Sequence, residues 1–153
     1  MSAVLRDDAR LGRMAEADLD EVVAIETAVY SHPWTRGNFC DSLRSEYQCY
    51  TYRIGGALAG YFVLLAAPDE AHLLNLSVAA EWQRRGHGTA LLSDAVALAR
   101  RSGAKRLLLE VRPSNAAAHG LYSRFRFRQL AVRRDYYPSH GGREDALVLM
   151  LGL

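Results

Sequence analysis

The sequence predicts an α+β fold with a central mixed sheet of about seven strands, largely antiparallel, and helices on both of its faces. Segments typical of strands and of helices follow one another in the order β-α-α-β-β-β-α-β-α-β-β, in which three consecutive strands form an antiparallel meander. A later strand–helix–strand unit, residues 71–111, predicts a right-handed parallel crossover that packs its helix on the sheet. The length of 153 residues suits a single domain spanning 1–153, because no linker divides the chain.

The elements of the N-terminal third are separated by clear breaks. Residues 10–14 are a short strand candidate, and apolar residues recur at helical spacing from Asp18 to Val29. Pro33 cannot continue a helix, so the chain breaks there. Thr35 is then predicted to cap a second helix that runs to about Arg44.

The middle of the chain predicts the antiparallel meander. Two apolar strands flank the Gly55-Gly56 pair, which is a strong signal for a hairpin turn. A third strand, AHLLNLSV at 71–78, follows through Pro68-Asp69-Glu70. Three strands joined by such short turns lie side by side in a sheet.

The last half of the chain predicts the crossover and its continuation. A long helix runs from about Gly88 to Ser102, and Gly103 is placed to end it as the first residue past the helix. The remaining elements are a buried strand at 105–111, a helix capped by Ser114 or Asn115 that runs to about Phe125, and two strands at 127–137 and 143–151.

Several classes of protein are disfavoured by composition. No apolar run approaches the roughly 20 residues of a membrane helix, and the N-terminus MSAVLRDDARLGRM has acids and no apolar core, so no signal peptide is expected. Cys40 and Cys49 have no ligand-spaced partners and indicate free thiols in a reducing compartment, the cytoplasm. No metal ligand pattern involves the histidines, and we interpret three of them as surface residues: His87, His119 and His140.

Charge is distributed unevenly along the chain. Residues 1–75 hold 6 arginines and 11 acids, whereas residues 76–153 hold 13 basic residues and 6 acids, within a net charge of +2. The pattern is compatible with solvent-exposed faces that carry charges of both signs. It is also compatible with an anionic ligand on the C-terminal half and a cationic one on the N-terminal half. Nucleic-acid binding is disfavoured because aromatic and basic residues are not interleaved in a motif.

A glycine loop opens the long helix, in the stretch EWQRRGHGTALL at 81–92. A P-loop is excluded, because Gly88 is followed by Thr89-Ala90 and not by Lys-Ser/Thr. A dinucleotide fingerprint lacks its third glycine, since Leu91 stands there, and the loop follows an antiparallel meander. Glycines at a helix start nevertheless favour an anion on the backbone N–H groups.

The remaining pattern, QRRGHG at 83–88, resembles the pyrophosphate loop of the GCN5-related N-acetyltransferases. In that family the loop wraps the pyrophosphate of acetyl-coenzyme A (acetyl-CoA). The unpaired N–H groups and the dipole of a helix N-terminus suit that anion. The resemblance implies that six consecutive residues hold the cofactor: Arg84, Arg85, Gly86, His87, Gly88 and Thr89.

Three more segments are similar to one group of this family, the bacterial RimI-type enzymes. These acetylate the N-terminal alanine of ribosomal protein eighteen of the small subunit. The segments are LLLEVRPSNAAAHGLYSRFRF at 107–127, RRDYYPSHGGREDALVLML at 133–151 and YSHPWT at 30–35. Arg126 departs from the group, which usually has glycine there, and an arginine in a left-handed conformation costs more than a glycine.

The resemblance assigns the base to Glu110 and the acid to Tyr122. Glu110 follows RLLL at the end of a strand that we expect to be buried, where desolvation would raise its affinity for a proton. Without the resemblance, spacing favours a carboxylate at a strand end that is paired with an arginine such as Arg112. Tyr122 follows Asn115 by about two helical turns on the same face and would protonate the departing thiolate. A core tyrosine is the alternative.

The resemblance also implies the remaining contacts. Asn115 contacts the cofactor, caps the helix, or does both. The strand end Leu76-Ser77-Val78 pairs with the acetyl group and the pantetheine arm, and the amide of Val78 is the oxyanion donor. Four aromatic side chains are candidates for the walls of a groove that binds the acceptor: Tyr30, Trp34, Tyr136 and Tyr137. The alternative is that they serve only as packing.

These features predict transfer of acetyl from acetyl-CoA to the N-terminal alanine of a ribosomal protein, by direct attack in a ternary complex. The protein is expected to act as a monomer, with no metal, direct nucleic-acid contact or membrane. The alternatives are acetylation of other N-termini, lysine or a small amine, and a non-catalytic acyl-CoA sensor. A sensor would not need the acid and base that Tyr122 and Glu110 supply.

Overall fold

The computed structural model describes residues 8–153, which contain one seven-stranded sheet and four α-helices. Residues 1–7, part of the segment in which no signal peptide is predicted, lie outside the described residues. The predicted fold class and order of elements are confirmed. The elements are β1 (Ala9–Arg13), α1 (Leu19–Val29), α2 (Arg36–Arg44), β2 (Gln48–Ile54), β3 (Ala57–Ala66), β4 (Asp69–Val78), α3 (His87–Arg101), β5 (Ala104–Val111), α4 (Ala116–Arg124), β6 (Arg128–Ser139) and β7 (Gly142–Gly152).

The sheet has the strand order β1-β2-β3-β4-β5-β7-β6. Every neighbouring pair is antiparallel except β4 and β5, which are parallel and are joined through α3. The meander and the parallel crossover predicted from the sequence are therefore both present.

Helices cover both faces of the sheet, as β3 illustrates. Tyr61 and Val63 point to the face covered by α1 and α2, where they join a core with Val22 and Phe39. Phe62 and Leu64, from alternate positions, join the larger core under α3 and α4 on the other face. This central strand is buried on both sides, which explains why its sequence is an almost continuous apolar run.

The helix ends follow the local signals. Thr35 Oγ1 accepts from the backbone N–H of Asn38 at 3.2 Å, and Asn38 Oδ1 accepts from the N–H of Thr35 at 2.8 Å. This reciprocal cap begins α2. Gly103, with φ of 92°, follows the end of α3. Arg126 adopts φ of 68° after α4, so the left-handed conformation is kept without glycine at a cost of roughly 1–2 kcal/mol.

The sheet opens between its two parallel strands. β4 and β5 are paired in register from Asp69↔Ala104 to Leu73↔Leu109. Beyond that point β4 continues to Val78 against β3, and β5 continues to Val111 against β7. The facing edges of the two strands diverge, and this opening positions the groove described next.

Candidate active site

Two cavities meet at the opening between β4 and β5. The larger, about 600 Å³, borders the loop before α3, and we name it the loop cavity. The smaller, about 280 Å³, contains the side chains of Glu26 and Glu110, and we name it the acidic cavity. They form one groove, because both are lined by Tyr30, Leu76, Arg112, Asn115 and Tyr122.

The loop cavity is suited to an anion. It is lined by Arg84, Arg112 and Arg124, with no Asp or Glu among its lining residues. Gly86, with φ of 89°, is the N-cap of α3, so the free N–H groups of the first helical turn lie beside the cavity. The helix dipole adds partial positive charge at the same end. A phosphate group fits this arrangement.

Eight of the ten residues predicted to hold the cofactor line this cavity. Arg84 itself adopts φ of 63°, which helps to turn the loop. Arg85 does not line the cavity, and its guanidinium lies 5.3 Å from the centre of the Trp82 ring. The eight are Leu76, Ser77, Val78, Arg84, Gly86, Gly88, Thr89 and Asn115.

His87 does not line the cavity either, and its predicted surface position is wrong. Its side chain is fully buried at the start of α3. Nδ1 lies 3.0 Å from the Tyr52 hydroxyl, whereas Nε2 has no hydrogen-bond partner within residues 8–153. Burial lowers the pKa of His87, and the nearby Arg85 lowers it further, so the imidazole is neutral at pH 7. Its role is to pack behind the loop.

The other two histidines differ from each other. His119 is half-buried, with Nε2 3.1 Å from the carbonyl oxygen of Arg112, so the prediction that it lies on the surface is also wrong. His140 is exposed, as predicted.

Glu110 lines the acidic cavity, but the prediction that it is buried is wrong. Its side chain is 31% exposed. The neighbours Leu109 and Val111 point into the core, so alternation along β5 turns Glu110 to the other face. Its oxygens are held by Arg133 Nε at 2.9 Å and by the Tyr136 hydroxyl at 3.4 Å. The expected burial is therefore absent, whereas the position beside the groove remains.

Arg112, the alternative partner for Glu110, pairs with Glu144 instead, at 3.3 Å. Glu144 also accepts from the backbone N–H of Ser114 at 2.9 Å and from its hydroxyl at 3.0 Å. These hydrogen bonds, together with Arg112, lower the pKa of Glu144. The loop between β5 and α4 is thereby tied to β7.

Of the four aromatic residues predicted as groove walls, three line the acidic cavity. These are Tyr30, Trp34 and Tyr137. Tyr136 lies outside it and contributes through its hydrogen bond to Glu110. Burial raises the pKa of Tyr137 to about 12, with Glu110 as a smaller cause, so this hydroxyl stays protonated.

A second carboxylate, Glu26, was not predicted from the sequence. It lies on α1, is 2% exposed, and lines the acidic cavity. Three groups donate to it: the Tyr61 hydroxyl at 2.6 Å, Asn75 Nδ2 at 3.1 Å and the backbone N–H of Trp34 at 3.0 Å. These bonds compensate for its burial.

Tyr122 lies where the two cavities join. It is buried on α4 against Phe127, at 5.3 Å between ring centres. Burial raises the pKa of Tyr122, so the hydroxyl remains a donor at neutral pH. Within the described chain this hydroxyl makes no protein hydrogen bond, so its proton is available.

Asn115 Oδ1 caps α4 by accepting from the N–H of Ala118 at 3.2 Å, which confirms the predicted cap.

The two parallel strands separate beside the start of α3, where the loop cavity is lined by arginines. A family model for the acetyltransferase (GNAT) family matches residues 15–127. The chain belongs to this family, and it is an acetyltransferase.

Two comparisons point to one group within the family. The chain is 34% identical over 141 residues to the ribosomal protein bS18-alanine N-acetyltransferase of Escherichia coli (strain K12), covering 92% of this chain and 95% of the relative. The crystal structure of the ribosomal-protein-S18-alanine N-acetyltransferase from Escherichia coli superposes with a TM-score of 0.87 at 33% identity, covering 94% and 93% of the two chains.

The acetyl donor of this family is acetyl-CoA. The structure of yncA from Salmonella typhimurium, with its cofactor acetyl-CoA, has the same fold, with a TM-score of 0.79, 19% identity and coverage of 95% and 94%. The loop cavity fits the phosphates of this donor by charge, because its charged lining residues are arginines.

Among residues 8–153, no helix is both long and apolar enough to cross a membrane. The same residues contain no group of three or more His, Cys, Asp or Glu side chains placed to hold a metal ion.

Proposed function

We propose that the chain transfers the acetyl group of acetyl-CoA to the α-amine of an N-terminal alanine, on the ribosomal protein that corresponds to bS18. One observation carries this proposal: both carboxylates of the groove, Glu26 and Glu110, line the acidic cavity, the charged lining residues of the loop cavity are arginines, and both cavities are lined by Tyr122. The name of the Escherichia coli relative supports the same acceptor.

The acceptor suits the acidic cavity. An α-amine has a pKa of about 7.7–8.0, so it arrives largely as a cation at neutral pH. Glu26 and Glu110 outnumber Arg112 among the charged residues that line this cavity, so its charge is opposite to that of the amine. The cosubstrate phosphates, in contrast, are matched by the arginines of the loop cavity.

Glu110 is proposed as the base and Tyr122 as the acid. Glu110 accepts a proton from the ammonium group, directly or through a water, and the freed nitrogen attacks the thioester carbonyl carbon. A C–N bond forms as the C–S bond breaks, and Tyr122 protonates the departing thiolate. The nitrogen loses its second proton as the amide forms, and this proton restores the Tyr122 hydroxyl, directly or through a water. The amide of Val78, on the part of β4 that has left β5, is proposed to donate to the carbonyl oxygen.

Direct attack within a ternary complex agrees with the surroundings of the groove. Neither cysteine lines either cavity. Burial raises the pKa of Cys49 to about 11, which keeps it a thiol. A covalent acetyl-cysteine is therefore disfavoured, and both substrates occupy the groove together.

The enzyme is proposed to act in the cytoplasm, as a monomer with a single catalytic domain spanning residues 1–153. A ribosomal-protein acceptor supports that location.

The acceptor is tested with synthetic peptides that differ only in their first residue, which is Ala, Ser, Met or Gly. A blocked peptide with one internal lysine and a polyamine complete the panel, and mass spectrometry identifies the products. We expect the Ala peptide to be acetylated fastest, at its N-terminus. Acetylated polyamine or lysine beside unmodified N-termini would overturn the proposal, and binding of acetyl-CoA without any product would indicate a sensor.

Arg124 provides a test of the loop cavity. Replacing it with Gln is expected to raise the KM for acetyl-CoA about 5- to 20-fold, because a hydrogen bond to a charged phosphate is lost. Arg126→Gln is the matched control, since Arg126 is exposed nearby and lies outside both cavities. Steady-state kinetics at saturating peptide measure both variants, and equal KM values would show that Arg124 makes no phosphate contact.

A further inference from the structure

Tyr30 occupies a position shared by both cavities. It directly follows α1, and its ring lines the loop cavity and the acidic cavity. Its hydroxyl reaches β4, where it lies 2.8 Å from Ser77 Oγ and 3.3 Å from the carbonyl oxygen of Leu76. Among the groove walls, this side chain therefore stands at the junction where an acceptor amine meets an acetyl donor.

The proton of the Tyr30 hydroxyl is directed to β4. Ser77 Oγ donates its own proton to Asn75 Oδ1 at 2.8 Å, so it accepts the proton of Tyr30. If Ser77 instead donated to Tyr30, the proton of Tyr30 would go to the carbonyl oxygen of Leu76. In either arrangement the hydroxyl donates its proton to an atom of β4, and its oxygen keeps lone-pair capacity.

A longer network fixes this direction. The amide orientation of Asn75 is set because its Nδ2 donates to Glu26 at 3.1 Å, which leaves Oδ1 to accept from Ser77. Glu26 is buried on α1 and is held in turn by Tyr61. Each group in this network therefore donates to the next, from Tyr30 to Ser77, from Ser77 to Asn75 and from Asn75 to Glu26. Such networks rigidify the groups that they join.

Tyr30 and Tyr122 consequently have opposite properties at the same junction. The hydroxyl of Tyr122 has a free proton, whereas that of Tyr30 has committed its proton and offers an acceptor. Burial raises the pKa of Tyr30 to about 12, and Glu26 contributes to this shift, so Tyr30 is a neutral acceptor and not a phenolate base.

We propose that the hydroxyl oxygen of Tyr30 accepts an N–H of the acceptor amine and so directs the nitrogen lone pair at the thioester carbon. Tyr30 neither gains nor loses a proton in this role. Ser77, Asn75 and Glu26 are positioning residues that keep its hydroxyl in the accepting orientation. This inference rests on the proposed function, which places an amine in the acidic cavity.

The test is Tyr30→Phe, which keeps the ring and removes only the oxygen. We expect kcat/KM for an Ala-starting peptide to fall about 10- to 100-fold, the range for a hydrogen bond to a charged group, because the attacking nitrogen becomes positively charged as the C–N bond forms. The Kd of acetyl-CoA, measured by calorimetry, should change less than about twofold. Tyr50→Phe is the matched control, because its hydroxyl contacts Arg13 and lies outside the groove.

A wild-type kcat/KM in Tyr30→Phe would overturn the inference and leave the proposed function intact. Failure of the wild-type enzyme to acetylate any peptide would overturn the proposed function instead. A loss that appears equally in acetyl-CoA affinity would also contradict the inference, because it would show a disturbed groove.

A double-mutant cycle tests the positioning network. Ser77→Ala frees the Tyr30 hydroxyl to rotate, so it should lower kcat/KM for the peptide about 3- to 10-fold. In the Tyr30→Phe background the same change should have almost no further effect, because the oxygen that Ser77 orients is already gone. Additive losses would show that Ser77 acts independently of Tyr30 and would remove the network from the proposal.

Discussion

Replacing Glu110 with Gln is expected to lower the turnover of an Ala-starting peptide by about 10²–10⁴-fold, the usual contribution of a general base. Glutamine has the same shape and still accepts from the Tyr136 hydroxyl, but it cannot take the proton of the ammonium group. Binding of acetyl-CoA should be retained, because Glu110 lines only the acidic cavity.

Single-turnover kinetics and calorimetry with acetyl-CoA separate these two effects. Glu16→Gln is the control, since Glu16 is exposed and is not among the residues that line the groove. Unchanged turnover would remove Glu110 from the mechanism and leave Glu26 as the carboxylate of the acidic cavity. The partly exposed position of Glu110 means that its proton can pass to solvent after each turnover.

Tyr122→Phe is expected to lower turnover about 10²-fold, at the lower end of the range for a general acid. A thiolate is a moderately good leaving group, since thiols have a pKa of about 8.5, so protonation helps without being indispensable. Burial raises the pKa of Tyr122 above its usual value of about 10. The donor is therefore still protonated at pH 9–10, and wild-type turnover should not decline there through ionisation of this residue.

The variant and the pH profile are measured with the same Ala-starting peptide. Tyr47→Phe serves as the control, because Tyr47 is partly buried, packs against the core on the α1 and α2 face and lies outside both cavities. A wild-type rate in Tyr122→Phe would mean that another group or water protonates the thiolate. A decline of wild-type turnover above pH 9 that vanished in the variant would contradict the raised pKa.

Local signals predicted the order of the elements and most of their ends. Thr35, Gly103 and Asn115 each act within a few residues, through a cap or a left-handed conformation. The hairpin at Gly55-Gly56 is equally local. Such signals need no knowledge of distant contacts, which is why they can be interpreted in a single sequence.

Periodicity could have corrected two of the wrong positions. His87 precedes Leu91 by four residues, so it lies on the buried stripe of α3. Glu110 stands between two inward positions of β5, so alternation places it on the other face. Glu26 follows Val22 by four residues on the buried stripe of α1, and a charged residue there signals a hydrogen-bonded site.

The partners of the charged residues could not be predicted in the same way. Arg133 reaches Glu110 because β5, β7 and β6 lie side by side, and their registers decide which residues face each other. The sequence contains 18 arginines with the same local chemistry. Only the assembled sheet selects Arg133 for Glu110 and Arg112 for Glu144.

The opposite charge of the two cavities also bears on the order in which products leave. Acetylation converts a cationic amine into a neutral amide, so the attraction of the peptide to Glu26 and Glu110 ends with the reaction. Coenzyme A, in contrast, keeps every phosphate charge beside the arginines of the loop cavity. For the proposed reaction, these charges predict that the modified protein leaves first and that coenzyme A remains longer and competes with the next acetyl donor.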